Sequence, residues 1–355
     1  MINNKSYHEQ EKIKNSIHLR ELMYSLPSFT LEFFRGIEQT TSSKTRIAYA
    51  YDLRVFFEFL GQYHKEIKKV AISDLKVDCL DQILPDDIEM YLEYLNYYIK
   101  ENDKHTQIEH INTERGKARK LASLRTFYNY FFKKQKIKTN PALLVELPKI
   151  HDKHIVRLEI DEIAKLLDEV ESGEKLTVSQ KRFHAYTKDR DLALLTLLLG
   201  TGIRVSECVG LNIPDIDFDV NGIKIVRKGG NEVIVYFGQE VKDALLGYLE
   251  YRKKMVTPPM HEDALFLSIQ NKRLAVRSVQ NLVKKYALLI TKLKNISPHK
   301  LRSTYGTNLY RETGDIYLVA DVLGHKDVNT TKKHYAQIED ERRRMAAKAV
   351  KLRQD

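Results

Sequence analysis

Apolar side chains recur at helical spacing in the first part of the chain. Ile47, Tyr51, Val55 and Phe59 lie four positions apart, so a helix over residues 44–60 would present all of them on one face. Three further helices are predicted in the same region, at residues 8–24, 86–102 and 114–135. We therefore expect an all-helical N-terminal domain of about four helices.

The pattern changes after residue 157. Helical spacing at 158–170 is followed by a nearly continuous apolar stretch at 190–200, which is typical of a buried helix. Two short β-like runs, 223–226 and 233–237, flank a Lys-Gly-Gly-Asn turn and predict a small antiparallel sheet. Most of the remaining chain is expected to be helical. The predicted fold class is mainly α, with one small antiparallel β-sheet in a mostly helical C-terminal domain.

A basic segment, PKIHDKHIVR, separates the two regions and has no amphipathic period, which indicates a linker. The expected organisation is an N-terminal extension at 1–25, a helical domain at 26–147, a linker at 148–157, a second domain at 158–338 and a tail helix at 339–355.

Charge narrows the class of partner. Lys and Arg total 59 against 48 Asp and Glu, a net charge of +11, which suits nucleic acid first and an anionic membrane surface second. The most apolar run, 192–199, is too short to span a bilayer, so a membrane partner is not expected. Two cysteines, Cys79 and Cys208, are too few for a disulfide framework and predict a reducing, cytoplasmic location.

Candidate chemistry is concentrated near the C-terminal end. Ser297 and Pro298 are suited to the start of a helix, which would place His299 and Arg302 on one face near its N-terminus, where an anion is favoured. Taken alone, this pair is more often two surface polar residues. Downstream, a Leu-Gly-His ends at His325.

Other residues extend this set. Arg204 and Arg302 could clamp the two non-bridging oxygens of one phosphate, because arginine presents a planar fork of donors. Arg204 with Glu207, three residues on, could equally be an ordinary ion pair. Lys228, in the turn between the predicted strands, is either a solvated lysine or a proton donor on a hairpin tip. Tyr335 adds a hydroxyl nucleophile. The set has no obvious metal-ligand cluster beside it, and it suits covalent attack on a phosphodiester without a metal.

The order and approximate spacing of these elements resemble the tyrosine recombinases, or phage integrase family. The segments TGIRVSE and HKLRSTYGT are similar to that family, as is NPALLVELPK at the end of the first domain. The chain looks most like the Xer-type members, especially the longer form that serves as a sole chromosomal recombinase in some Gram-positive bacteria. Tyr335 comes one residue later after His325 than in most relatives, with His334 at the usual position, and no other tyrosine follows His325.

The resemblance implies a mechanism without cofactor or metal. Tyr335 would form a 3′-phosphotyrosyl link and release a 5′-hydroxyl. Arg204 and Arg302 would stabilise the transition state, and Lys228 would protonate the leaving oxygen. The remaining implied roles are phosphate hydrogen bonding and proton transfer for His299 and His325, and support of a neighbouring cation for Glu207.

The resemblance also implies how DNA is held. The 26–147 domain would be a core DNA-binding domain and 158–338 the catalytic domain, closing together around double-stranded DNA at a specific recombination site. A homotetramer on two such sites is expected, with the 339–355 helix docking on a neighbouring protomer; a surface helix on its own domain is the alternative. The candidate DNA-contact residues are Lys44, Arg46, Lys117, Arg119, Lys120 and Arg125.

Several functions are compatible with this set. The main prediction is a site-specific recombinase. Its predicted biological role is chromosome dimer resolution, which would give it a part in chromosome partition and cell division. The alternatives are an integrase or excisionase-assisted recombinase of a mobile element, a type IB topoisomerase, and a catalytically silent DNA-binding protein. The complete set of Arg, Lys, His, Arg, His and Tyr argues against the last.

Overall fold

The computed structural model describes residues 6–101, 106–150, 156–227, 230–325 and 327–328. The chain divides into two compact units, Met1–Asp152 and Lys153–Asp355. Small antiparallel sheets accompany a mostly helical architecture, which confirms the predicted fold class. None of the helices in the described ranges is both long and apolar enough to cross a membrane.

The first unit is built mainly from helices. Their bounds are α1 Tyr7–Met23, α2 Thr30–Gly36, α3 Ser43–Tyr63, α4 Pro85–Tyr94 and α5 Glu114–Lys133. Aromatic rings fill its core: Phe127 of α5 makes edge-to-face contacts with Phe33 of α2 and Phe131 at 5.1 and 5.2 Å between ring centroids. Ser42 caps α3, because its side chain accepts a hydrogen bond from the Thr45 N–H.

The all-helical prediction for this unit is corrected by a hairpin of two strands. Strand β1 Tyr98–Glu101 pairs antiparallel with β2 Gln107–His110, where the sequence predicts that one helix continues to residue 102. Tyrosine and isoleucine favour strands, and the rings of Tyr98 and His110 stack across the pair at 5.0 Å. Helical spacing was continuous along this segment, but cross-strand pairing decided its conformation. Helix α2 was also not predicted.

The second unit places a buried helix at its centre. Its helices are α6 Ile160–Ser172, α7 Val178–Thr201, α8 Val205–Gly210, α9 Gln239–Arg252, α10 Val276–Ile290, α11 Pro298–Thr313 and α12 Ile316–Leu323. The apolar stretch of α7 is buried, including Leu194, Leu195 and Leu197, and α7 packs against α6, α9 and α11. The predicted buried helix is therefore confirmed.

The small sheet of this unit contains three strands in sequence order. Strand β3 Ile216–Asp217 pairs with β4 Gly222–Val226, which pairs with β5 Glu232–Tyr236, all antiparallel. The β4–β5 hairpin is the one the sequence predicts. Ile223 and Val235 face each other in the register and are both buried, so this face of the hairpin contributes to the core.

Candidate active site

Arg204 stands in the turn between α7 and α8. Gly202 ends α7 with a left-handed φ of 63°, and a Cβ at this position would lie 2.4 Å from Cδ1 of Tyr305, so the turn requires glycine. The Arg204 N–H donates to Oε2 of Glu207 at 2.7 Å, and its Nη1 donates to Oε1 at 2.9 Å. Glu207 is 4% exposed, so a buried carboxylate holds both the backbone and the guanidinium of Arg204.

Arg302 is buried in α11, which begins at Pro298 as the sequence predicts. His299 is exposed in the first turn of this helix, and Arg302 follows one turn later with 6% of its surface exposed. Arg302 donates from Nη1 to the Gly202 carbonyl at 2.7 Å and from Nη2 to the Leu323 carbonyl. These bonds connect α11 with the ends of both α7 and α12.

The Leu-Gly-His sequence forms the end of α12. Gly324 has a left-handed φ of 60°. Its N–H donates to the Asp321 carbonyl at 2.8 Å, while the N–H of His325 donates to the Ala320 carbonyl at 2.9 Å. This pair of bonds is typical of a glycine-terminated helix. It turns the chain back, leaving His325 half-buried and the Gly324 carbonyl 3.3 Å from Nη2 of Arg204, which donates to it.

Among the described residues, three guanidinium groups converge on the C-terminal end of α12. Arg204 lies directly before α8, Arg302 lies on α11, and Arg227 directly follows β4. Arg227 donates from Nη2 to the Val322 carbonyl at 2.8 Å and from Nη1 to the Asp321 carbonyl at 3.2 Å. Carbonyls at the end of a helix lack intrahelical partners and carry the negative end of its dipole. The helix end therefore attracts and orders these cations.

The structure brings five of the predicted residues to one region. Arg204 and Arg302 both bond to carbonyls of the segment that continues into His325, and Glu207 supports Arg204. His299 lies one helical turn before Arg302 on α11. Residues far apart in the sequence thus meet through hydrogen bonds to the end of one short helix.

Lys228 and Tyr335 lie outside the described residues, as does the predicted tail at 339–355. Arg227 is the residue that sequence reasoning missed. The one signal in the sequence that could have indicated Arg227 is its position directly before Lys228. Its hydrogen-bond partners on α12 are more than 90 residues away. No local pattern links those two segments.

The arrangement at the end of α12 suits an anion. Its guanidinium groups supply fixed donors and positive charge, which match the oxygens of a phosphodiester. Within the described ranges, no group of three or more His, Cys, Asp or Glu side chains is placed to hold a metal ion.

Two potential nucleophiles near this region are poorly suited to attack. Burial raises the pKa of the Cys208 thiol, and the adjacent charge of Glu207 raises it further. Burial also raises the pKa of Tyr305, whose ring packs against Gly202. A raised pKa disfavours the thiolate or phenolate form that attacks phosphorus, so neither group is suited to act as the nucleophile.

The candidate DNA-contact residues on α3 differ in exposure. Lys44 is exposed in the first turn of this helix. Arg46, whose side chain is 13% exposed, donates to Oε1 of Glu38 at 2.8 Å. Lys44 thus projects from the surface, whereas Arg46 is engaged in an ion pair.

The candidates on α5 are mostly engaged within their own unit. Lys117 pairs with Glu114 at 2.7 Å, and Arg119, half exposed, pairs with the buried Asp52. Lys120 is 8% exposed and donates to Oδ1 of Asn112 at 2.8 Å; burial lowers its pKa. Arg125 donates to the carbonyls of Ala142 and Val145 at 3.0 and 2.6 Å.

Comparisons with known proteins identify the family to which this chain is similar. The model of the phage integrase family matches residues 156–342. Tyrosine recombinase XerC of Caldanaerobacter subterraneus subsp. tengcongensis is 34% identical over 335 residues, which cover 92% of this chain and 86% of the relative. Tyrosine recombinase XerC of Thermodesulfovibrio yellowstonii is 32% identical over 301 residues, covering 83% of this chain and 86% of the relative.

A solved structure supports the fold. It is the XerH site-specific recombinase bound to a palindromic difH substrate in a post-cleavage complex. The match has a TM-score of 0.63 and 20% sequence identity, and it covers 98% of this chain and 90% of that one.

Proposed function

We propose how this chain breaks and rejoins DNA strands. The chain belongs to the phage integrase family and is a tyrosine-type site-specific recombinase. Tyr335 attacks the scissile phosphate beside the C-terminal end of α12. The observation that carries this proposal is the convergence of Arg204 and Arg302 on carbonyls of the segment leading into His325.

The proposed step exchanges one phosphodiester for another. The tyrosyl oxygen of Tyr335 forms a bond to phosphorus while the bond from phosphorus to the 5′ oxygen breaks. The phenolic proton passes to His299 or His325, and Lys228 donates a proton to the departing 5′ oxygen. The product is a 3′-phosphotyrosyl link with a free 5′-hydroxyl. Because the link keeps the phosphodiester energy, attack by the 5′-hydroxyl of a second duplex completes strand exchange without a cofactor.

The two arginines have the properties that transition-state stabilisation requires. Both guanidinium groups are held before DNA arrives, Arg204 by Glu207 and Arg302 by two backbone carbonyls. Fixed donors need no reorganisation when negative charge develops on the phosphate. Arg204, whose side chain is 34% exposed, is the more accessible of the two.

DNA contact in the first unit is proposed from exposure. Lys44 and Arg119 have the more exposed side chains among the candidates and are assigned to phosphate contact. Lys120 and Arg125 are assigned to holding the fold, because their donors are bonded to Asn112 and to backbone carbonyls. Arg46 and Lys117 stay candidates that would exchange an acidic partner for a phosphate.

The proposed assembly is a homotetramer on two copies of a specific recombination site, with the 339–355 tail docking on a neighbouring protomer. Residues 26–147 are the proposed core DNA-binding domain, 148–157 the linker and 158–338 the catalytic domain. The relatives named XerC favour a chromosomal Xer role, and dimer resolution is proposed on that ground. The free, buried thiols of Cys79 and Cys208 agree with the expected cytoplasmic location. The longer sole-recombinase form stays a prediction.

A nicked suicide substrate tests the proposal. Cleavage near the nick releases a short fragment, so the covalent adduct accumulates and can be mapped by peptide mass spectrometry. We expect the adduct on Tyr335, at the 3′ phosphate. An adduct on another residue would contradict the site assignment, and relaxation of supercoiled DNA without a specific site would indicate topoisomerase activity instead.

A further inference from the structure

Arg227 connects the β4–β5 hairpin with the end of α12. Its guanidinium donates to the Val322 carbonyl at 2.8 Å and to the Asp321 carbonyl at 3.2 Å. The contact is close: a Cβ on Gly324 would lie 2.0 Å from Nη1 and 2.5 Å from Cζ of Arg227. The left-handed backbone of this glycine favours glycine, and a side chain here would also displace the guanidinium of Arg227.

The backbone of Arg227 closes the base of the hairpin turn. Its N–H donates to the Asn231 carbonyl at 2.8 Å, and its own carbonyl accepts from the Gly230 N–H at 3.0 Å. Lys228 directly follows Arg227 in the sequence. The contacts of Arg227 therefore hold the residue that precedes Lys228.

The same short segment of α12 also orders the phosphate-binding groups. The carbonyls after those bound by Arg227 belong to Leu323 and Gly324, which accept from Arg302 and Arg204. The guanidinium of Arg227 thus attaches the turn that carries the proposed general acid to the segment that orients the proposed clamp.

We infer that Arg227 is a positioning residue, which sets the location of the Lys228 turn relative to the phosphate bound by Arg204 and Arg302. The inference rests on the proposed function of Lys228 as the general acid. Arg227 reaches the reaction through Lys228, and the carbonyls at the end of α12 that accept from its guanidinium hold it in place. Lysine would not replace it fully, because it lacks the planar fork that bonds two carbonyls at once.

A change of leaving group can distinguish the positioning of Lys228 by Arg227 from a purely structural role of Arg227. An alcohol leaving group needs a proton, whereas a thiol has a pKa of about 8.5 and departs as the thiolate. A DNA substrate with sulfur in place of the bridging 5′ oxygen at the scissile phosphate therefore does not need Lys228. A variant that has lost only the positioning of Lys228 should recover its cleavage rate on this substrate.

The experiment measures single-turnover cleavage of oxygen and sulfur suicide substrates by the full-length chain. General acids contribute about 10²–10⁴-fold to rate, so we expect Arg227→Ala to cleave the oxygen substrate about 10- to 100-fold more slowly and the sulfur substrate at close to the wild-type rate. On the oxygen substrate, the cleavage rate of Arg227→Lys should lie between those of Arg227→Ala and the wild type. Lys224→Ala is the matched control, since Lys224 is exposed on β4, the strand that leads into Arg227, and pairs with Glu232 at 3.7 Å.

Distinct outcomes decide the inference. An equal loss on both substrates would show that Arg227 acts on the fold or on the arginine clamp and would overturn it, as would an unchanged rate on the oxygen substrate. Arg227→Lys keeps the cation and gives the same substrate comparison if Arg227→Ala does not fold. Failure of the wild-type chain to form an adduct on either substrate would instead contradict the proposed function itself.

Discussion

Arg302 and Gly202 are separated by 100 positions in the sequence, yet Nη1 of Arg302 donates to the Gly202 carbonyl at 2.7 Å. The bond joins α11 to the end of α7, two residues before Arg204. It sets the separation of the two arginines that would hold the phosphate.

Arg302→Lys should slow cleavage strongly while leaving DNA binding intact. Lysine keeps the charge but cannot bond the Gly202 and Leu323 carbonyls together, so we expect a loss of about 10²–10³-fold in cleavage rate. Single-turnover assays and gel shifts measure the two effects. Arg311→Lys is the control, since Arg311 lies on the same helix and pairs with Glu159 at 3.0 Å. An equal loss in both variants would contradict a specific role for Arg302.

Tyr335→Phe should bind DNA normally and form no covalent adduct, because phenylalanine lacks the attacking oxygen. Tyr305→Phe is the control within the same unit. Burial raises the pKa of Tyr305, which disfavours the phenolate that attack requires, so its loss should leave adduct formation close to the wild-type level. Denaturing gels of a suicide substrate read out both variants, and adduct formation by Tyr335→Phe would refute the assignment.

Glu207→Gln should impair Arg204 without changing the shape of the side chain. Both carboxylate oxygens of Glu207 accept hydrogen bonds, from the backbone N–H and from Nη1 of Arg204. A glutamine turns an NH₂ group toward one of these donors, which we expect to lower cleavage about 10- to 100-fold and stability by about 1–3 kcal/mol.

Urea denaturation and single-turnover cleavage test the Glu207 prediction together. Glu162→Gln is a matched control, because Oε2 of Glu162 accepts from the Glu159 N–H at 2.8 Å in the same capping geometry. The control should lose stability but keep its cleavage rate. Parallel losses in both variants would assign Glu207 to stability alone.

Gly324→Ala should act through Arg227. The left-handed φ of 60° costs an alanine about 1–2 kcal/mol, and the added Cβ would also displace the arginine. In an Arg227→Ala background that clash is absent, so the cost of Gly324→Ala should fall to the conformational part. A double-mutant cycle on the free energy of unfolding measures the difference. Additive costs would mean that the two residues do not interact.

Lys44→Ala should weaken DNA binding, whereas Lys120→Ala should lower the stability of the fold. Lys44 is exposed, so its loss should reduce the slope of log K against log salt by about 1 and leave stability unchanged. Lys120 is buried against Asn112 and Asp52, so its loss should lower stability by about 1–2 kcal/mol and leave the slope unchanged. Salt titrations of DNA binding and thermal unfolding distinguish the two. A reduced slope for Lys120→Ala would restore it as a DNA contact.

The sequence by itself determined the features that depend on near neighbours. The start of α11 at Pro298, the buried α7 and the β4–β5 hairpin follow from capping residues, apolar spacing and a glycine turn within a few positions. The family membership followed from the order of a few chemical residue types, with Arg204, Arg302 and Tyr335 among them.

Only the tertiary structure decided what depends on distant partners. Arg227 is held by carbonyls of α12, more than 90 residues away. Lys120 follows the pattern of a surface lysine in the sequence, but the fold buries it beside Asp52 and Asn112. Strand β1 formed where helical spacing continued, because Tyr98 pairs with His110. A local pattern encodes the preference of a segment, but the groups that satisfy its donors and cover its apolar face are supplied by the fold.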